Sequence, residues 1–214
     1  MSFDIILNLK FINLFYLLYF MEIASILISF ITIFIIMDPF ASLPSFLALT
    51  QGHNKEQLAK TANKAVLIAG ILALIFVFSG TAILNVLSIT LSDFRIAGGI
   101  VLGLLGLENV LGFSFSNHNG KKSDSLDSAA VLIATPLLTG PGLISSIVVL
   151  VQEHSVYIVL ISLIAALFLS WVILRNAILA KNLLGDKIIL IFSKVMGLLL
   201  IAMGIAYIKV GILG

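Results

Sequence analysis

The sequence predicts an all-α membrane protein with six transmembrane helices, arranged as two inverted repeats of three in which spans 1 and 4 are broken at proline motifs. Hydrophobic residues make up 61% of the 214 residues and charged residues 10%, and the mean hydropathy is +1.23. Soluble domains carry about a quarter charged residues. Successive apolar runs reach the ~20 residues that cross ~30 Å of hydrocarbon. All four prolines lie within two of these runs.

The rest of the composition narrows the function classes. The net charge of +2 is too small to indicate nucleic-acid binding. Without cysteine there is no disulfide framework, thiolate metal site or cysteine nucleophile. His53, His118 and His154 lie in predicted loops without metal-ligand spacing, so we expect no metal and no cofactor. We also expect no enzyme, because the only intramembrane carboxylate pair is Asp38 with Glu108 and no serine has a buried histidine partner.

Two regions divide the chain. Residues 1–21 form an apolar N-terminal extension without the basic start and the small-residue cleavage site of a signal peptide. We predict that this extension is interfacial or dispensable; an extra span, or a leader upstream of a start at Met21, are the alternatives. Residues 22–214 form a single six-span membrane domain, with a first half at 22–115, a hydrophilic loop at 116–128 and a second half at 129–214.

The apolar runs place the spans and the loops. The predicted spans are residues 23–49, 65–87, 96–115, 129–151, 156–174 and 188–213. Polar stretches at 51–64, 88–95, 116–128 and 175–187 are the predicted connections.

Lysine and arginine predict the orientation in the cell membrane. One side collects Lys55, Lys60, Lys64, Lys121, Lys122, Arg175, Lys181 and Lys187. The other side collects Arg95 and Lys209 within the six-span core. Because short cytoplasmic loops are enriched in lysine and arginine, we expect the first side to be cytoplasmic and both ends of the core to lie outside.

The two proline-containing stretches occupy corresponding places in the two halves. Spans 1 and 4 carry the prolines, and spans 3 and 6 are rich in glycine. Because each half has an odd number of spans, the second half has the opposite orientation in the membrane to the first. Paired broken helices in inverted halves point to a transporter's midplane binding site. The alternative is a pair of proline kinks whose backbone groups are satisfied by neighbouring helices.

Asp38-Pro39 and Thr135-Pro136 each resemble the start of a half-helix. Proline suits the first helical position, and Asp or Thr before it can cap the helix. The N-terminus of a half-helix attracts a carboxylate, and unwound carbonyls attract an ammonium group or a cation. A zwitterionic amino acid therefore fits such a site better than a bulky apolar drug does. The candidate substrate-binding residues are Asp38, Pro39, Ser42, Pro44, Thr135, Pro136, Thr139, Gly140, Pro141 and Gly142.

Asp38 and Glu108 are the candidates for proton coupling. Asp38 lies deep in span 1, where a carboxylate costs at least ~2.5 kcal/mol, so an intramembrane acid points to function. A purely structural N-cap is the alternative for Asp38. Glu108 either faces the same cavity or reaches the cytoplasmic interface. The glycines at 98–106 indicate close helix packing rather than a nucleotide loop.

Three motifs follow one another along the chain: Met37-Asp38-Pro39 with Pro44, then Arg95-Ile96-Ala97-Gly98-Gly99-Ile100, and then the stretch from Thr135 to Gly142. Together they resemble the MarC family of integral membrane proteins. The similarity runs from about Met21 to the C-terminus. It implies a six-span secondary transporter, with small neutral amino acids such as glycine and alanine as the leading substrates and protons as the driving ion.

This chain departs from the family at one place in the first motif. The family usually has Gly-Asn where this chain has Ala41-Ser42. The asparagine amide is a donor and an acceptor, and Ser42 replaces only part of it.

The predicted function is therefore a secondary transporter of small neutral amino acids, coupled to protons or another ion and working by alternating access. The alternatives are an exporter of other small metabolites or drugs, a passive channel and a structural membrane protein. The expected partners are the amino acid, the coupling ion and the lipid bilayer, and a homo-oligomer is left open.

Overall fold

The computed structural model describes residues 2–112, 130–131 and 133–213, with side chains described from Phe20 onward except at 132 and 135–137. Every regular element in these ranges is helical. The helices are α1 (Ser2–Met37), α2 (Pro39–Leu49), α3 (Lys55–Val86), α4 (Leu91–Leu111), a π-helical turn (Ile133–Leu138), α5 (Pro141–Glu153), α6 (Val156–Arg175) and α7 (Ala177–Leu213).

Five helical segments in the described part of the chain are long and apolar enough to cross a membrane. They are Phe20–Leu49, Lys55–Val86, Leu91–Leu111, Val156–Arg175 and Ala177–Leu213, and Pro141–Glu153 is a shorter apolar helix. The prediction of an all-α membrane protein is confirmed. The extension at 2–21 forms the first part of α1, which runs without interruption to Met37.

Two helices begin earlier than the sequence predicts. The predicted loop at 51–64 is wrong, because α3 begins at Lys55 with Asn54 as its N-cap. The amide of Gln57 donates to Asn54 Oδ1, and the amide of Asn54 donates to Gln57 Oε1, both at 2.9 Å. This reciprocal capping box starts the helix in spite of its polar first turns. The predicted turn at 88–95 is wrong in the same way, because Thr90 caps α4, which begins at Leu91.

The predicted loop at 175–187 is also wrong. Asn176 alone separates α6 from α7, which begins at Ala177. Gly185, with φ 73° and ψ 160°, divides α7 into two helical stretches. Glycine occupies this backbone conformation without the steric cost that a Cβ atom adds. The predicted loop at 116–128 lies outside the described residues.

Helix α5 lies in the centre of the bundle. Eight of its residues are buried, from Gly142 and Leu143 through Ser145–Leu150. A Cβ atom at Gly80 of α3 would lie 2.4 Å from Val148 Cγ2, so α3 packs closely on α5. A helix that is buried nearly all round belongs to the interior of a bundle. Although α5 is short, other helices of the bundle surround it, so its ends do not face lipid on every side.

Helices α4 and α7 are antiparallel and touch through glycines. A Cβ atom at Gly99 would lie 2.5 Å from the carbonyl oxygen of Gly204, and one at Gly106 would lie 2.5 Å from that of Gly197. These positions recur every two turns on both helices. Small residues let membrane helices approach closely enough for backbone contact. The expectation that this glycine-rich stretch marks close helix packing is confirmed.

We expect Gly106→Ala to destabilise the protein, since the new methyl group would force α4 and α7 apart. Overpacking of this kind costs about 1–3 kcal/mol. Gly103→Ala is the matched control, because a Cβ atom at Gly103 meets nothing within 4 Å. The measurement is the unfolding temperature in detergent. Equal unfolding temperatures for the two variants would contradict the glycine contact.

Candidate functional site

The first chain break lies at Asp38. Helix α1 ends at Met37, and α2 begins at Pro39. Asp38 has φ 37° and ψ 64°, in the left-handed region. Few residues other than glycine adopt this conformation, and aspartate is among those that tolerate it. Asp38 therefore changes the direction of the chain inside the apolar segment Phe20–Leu49.

The Asp38 carboxylate is buried and accepts two hydrogen bonds. The amide of Ala41 donates to Oδ1 at 3.1 Å, and the side-chain amide of Asn109 donates to Oδ2 at 2.7 Å. Only 6% of Asp38 is exposed. The first bond caps α2, and the second joins the break to α4. A buried carboxylate is stable only when such partners replace water.

The backbone at this break is satisfied locally. The carbonyl oxygen of Asp38 accepts a hydrogen bond from the amide of Ser42 at 3.2 Å and from Ser42 Oγ at 3.1 Å. The Asp38 amide donates to the carbonyl of Phe34 at 3.1 Å. Ser42 is itself buried. The Ser42 hydroxyl, which lies where the chain differs from the motif that it resembles, therefore stabilises the break itself.

The second chain break precedes α5. The π-helical turn Ile133–Leu138 ends in Thr139, whose amide and hydroxyl both donate to the carbonyl of Ala134, at 2.9 and 2.5 Å. Gly140 is then extended, with φ −65° and ψ 170°, and Pro141 occupies the first helical position of α5.

The expectation that Thr135 caps a helix starting at Pro136 is therefore wrong. Both residues lie inside the π-helical turn, and the new helix starts one proline later. A residue before proline is driven out of the helical region. At the second proline that residue is Gly140, which has no Cβ atom to restrict it, so the chain extends there.

The N-terminus of α5 has no side-chain cap. Gly140 makes no side-chain hydrogen bond to the helix, and Pro141 has no amide hydrogen. The amides of Leu143 and Ile144 donate to the carbonyl of Gly140, at 3.0 and 3.2 Å. No acceptor among the described residues meets the amide of Gly142. Within the described residues, the first turn of α5 therefore has an amide donor without an acceptor at the positive end of the helix dipole.

The two breaks lie against each other. A Cβ atom at Gly142 would lie 2.9 Å from Leu102 Cδ2 and 3.7 Å from Ile36 Cγ2. Ile36 precedes Asp38 by two residues, and α2 also contacts the π-helical turn. The start of α5, the break at Asp38 and α4 thus converge in the middle of the bundle.

Six of the ten predicted substrate-binding residues are buried around these breaks: Asp38, Pro39, Ser42, Thr139, Gly140 and Gly142. Pro44 and Pro141 are exposed. Thr135 and Pro136 lie in the π-helical turn, and their side chains are outside the described part of the structure.

Asn109, rather than Glu108, reaches Asp38. Glu108 is half-buried, and its carbonyl accepts the amide of Gly112 at 2.8 Å. Glu108 is the residue that its charge predicts from the sequence, and Asn109 is not among the predicted site residues. A side-chain amide in span 3 is only a weak indication of a site in the sequence. The packing of α4 is what shows that Asn109, and not its neighbour Glu108, faces the break.

A second polar cluster lies at the opposite end of α4. Arg95 pairs with Glu153 of α5 at 2.5 Å, and the Arg95 side chain is 15% exposed. Arg95 and Asn109 are separated by about 21 Å along the helix axis, at ~1.5 Å a residue. The ion pair therefore joins the two halves far from Asp38. No three His, Asp or Glu side chains converge into a metal site within the described ranges.

The sequence comparisons identify the family. The MarC family integral membrane protein model matches residues 23–214. The chain belongs to the MarC family. A UPF0056 membrane protein of Methanocaldococcus jannaschii is 32% identical over 202 residues, covering 91% of this chain and 98% of the relative. Another from Buchnera aphidicola subsp. Schizaphis graminum is 32% identical and covers 86% of this chain and 89% of the relative.

A third relative shows a similar degree of identity. The UPF0056 membrane protein of Archaeoglobus fulgidus is 33% identical over 192 residues, covering 86% of this chain and 90% of the relative. No solved structure matches this chain. The resemblance to the MarC family seen in the motifs is confirmed.

We expect Asn109→Ala to lower the free energy of unfolding by about 1–3 kcal/mol, since it leaves Asp38 Oδ2 buried without a donor. The exposed Asn85→Ala at the end of α3 is the control and should change little. Combining Asn109→Ala with Asp38→Ala tests the contact directly. In that background the loss from Asn109→Ala should shrink, as measured by a double-mutant cycle in detergent. Additive losses would show that the two side chains do not interact.

Proposed function

We propose that this MarC family member is a secondary transporter of small neutral amino acids, coupled to protons and working by alternating access. One observation carries the proposal. The uncapped N-terminus of α5 lies beside the break that holds the buried Asp38 carboxylate. An amino acid carries a carboxylate, which the N-terminus of α5 complements, and an ammonium group, which the Asp38 carboxylate complements.

The site suits a zwitterion. The amide of Gly142, which has no acceptor among the described residues, and the dipole of α5, equivalent to roughly half a positive charge, favour the substrate carboxylate. The Asp38 carboxylate favours the substrate ammonium group or a proton. Leu102, Leu105 and Ile36 pack tightly around Gly142, which favours a substrate with a short side chain. Glycine and alanine are therefore the substrates that we propose.

Buried groups at the breaks support alternating access. Asp38, Thr139 and Gly142 are closed off from solvent in this conformation. A substrate can reach them only if the helices around them separate, and binding then shifts the balance between inward-open and outward-open states. Arg95 belongs to the first half and Glu153 to the second, so their ion pair is a contact that outward opening would break.

An inverted repeat accounts for the matching breaks. The break at Asp38 divides α1 from α2, and the break at Gly140 divides the π-helical turn from α5. Helices α4 and α7, the third spans of the two halves, are antiparallel, as inversion requires. With lysine and arginine concentrated at one end, we place that end in the cytoplasm and both ends of the six-span core outside.

Uptake of labelled glycine and alanine into proteoliposomes under an imposed pH gradient tests this function. We expect gradient-driven flux, and we expect Asp38→Asn to lose its dependence on the gradient while Thr135→Ala changes the affinity for substrate. An unlabelled panel of other small metabolites, added as competitors, defines the substrate class. Folded, inserted protein that moves neither amino acid would refute the proposal, and an unchanged pH profile in Asp38→Asn would remove the proton from it.

Cross-linking tests the outward opening. The chain contains no cysteine, so Arg95→Cys with Glu153→Cys introduces the only two thiols. A short thiol-specific cross-linker should lower flux at least about tenfold, because it holds α4 and α5 together where they must separate. Each single-cysteine variant, treated in the same way, is the control. Full flux in the cross-linked protein would show that these helices need not part at this end.

A further inference from the structure

A groove opens between the start of α3 and the junction of α6 with α7. It has a volume of about 390 Å³ and lies at the end of the bundle that collects most of the lysines and arginines. Its polar lining includes Lys55, Arg175 and Asn182, and its apolar lining includes Leu58, Ile178 and Leu179. Cationic and apolar groups thus share one concave surface.

The two cations in the groove have no ion-pair partner in the described part of the chain. No carboxylate in these ranges lies within ion-pair distance of Lys55 or Arg175. The nearby acids have other partners, since Glu56 pairs with Lys60 at 2.8 Å and Asp186 pairs with Lys181 at 3.3 Å. Among the described residues the groove therefore carries a positive charge that an anion would complement.

Arg175 is held in place by α3 and α6. One of its terminal nitrogens donates to Asn63 Oδ1 at 3.2 Å, and its guanidinium lies 5.1 Å from the ring centre of Trp171. Trp171 Nε1 donates to the same Asn63 oxygen at 2.7 Å. A guanidinium has five N–H donors, so this arrangement orients Arg175 and leaves donors for a ligand.

Trp171 and the exposed apolar side chains indicate the depth of the groove. Tryptophan concentrates where hydrocarbon meets the head groups, and Trp171 is the only tryptophan in the chain. Ile178 and Leu179, at 37% and 55% exposure, lie beside the cations. A soluble anion would gain nothing from these two side chains, whereas a lipid has acyl chains to cover them.

We propose that this groove binds an anionic phospholipid of the cytoplasmic leaflet. Its phosphate group contacts Lys55 and Arg175, and its acyl chains pack on Ile178 and Leu179. Basic pockets between membrane helices on this side are suited to such head groups. The site is separate from the breaks at Asp38 and Gly140 and does not depend on the proposed transport.

Native mass spectrometry of the delipidated full-length protein tests the site. Phosphatidylglycerol and phosphatidylcholine are titrated against the wild type, Lys55→Gln, and Lys55→Gln with Arg175→Gln. We expect phosphatidylglycerol to bind at least about tenfold more tightly than phosphatidylcholine. Its affinity should fall about fivefold in the single variant and about 25-fold in the double variant, as expected for ~1 kcal/mol per cation. Lys187→Gln, at the same end of the bundle but outside the groove, is the control and should match the wild type.

Three results would overturn the proposal. Equal affinity for the two lipids would remove the charge recognition. An unchanged affinity in the double variant, with its unfolding temperature preserved, would place the lipid elsewhere. Displacement of phosphatidylglycerol by glycerol phosphate at comparable concentration would identify a soluble anion rather than a lipid as the ligand. Lys55→Gln alone keeps the test valid if loss of Arg175 unfolds the protein, because the Lys55 side chain makes no hydrogen bond or ion pair with the described residues.

Discussion

The structure depends on satisfying the backbone where a helix is interrupted inside an apolar segment. Hydrocarbon contains no water to bond a free amide or carbonyl, so the protein must supply every partner. At the first break, Asp38 does so with its carboxylate toward Ala41 and its carbonyl toward Ser42. The carboxylate then needs a donor of its own, and Asn109 of α4 provides it. One residue thereby fixes the break, the cap of α2 and the position of α4.

Helix α4 connects the two halves of the molecule. Near the start of α4, Arg95 pairs with Glu153 of α5, and further along the helix Gly99 and Gly106 contact α7. These contacts differ in kind. The glycine contacts bring the two helix backbones together, whereas the ion pair is made by two side chains that can separate without disturbing the helices. Opening at the end of α4 that carries Arg95 is thus compatible with an intact α4–α7 pair.

The two breaks satisfy the same constraint by different means. Asp38 is a side-chain cap that introduces a buried acid. The second break uses backbone geometry, with Thr139 turned back onto Ala134 and an extended Gly140 before Pro141. A cap at α5 would have occupied the amide of Gly142. Among the described residues, one break therefore presents an acid and the other an amide without an acceptor, and this asymmetry is the basis of the zwitterion site that we propose.

The sequence by itself determined the membrane class, the presence of the long apolar helices, the family and the chain break at Asp38 before Pro39, because hydropathy, proline chemistry and helix capping act within a few residues. It misplaced the starts of α3 and α4, where capping boxes such as Asn54 with Gln57 turn polar residues into helix. Only the tertiary structure decided which proline starts α5, and that Asn109 rather than Glu108 bonds Asp38. Those choices depend on which face of α4 packs against the break, and the glycine contacts between α4 and α7 set that face.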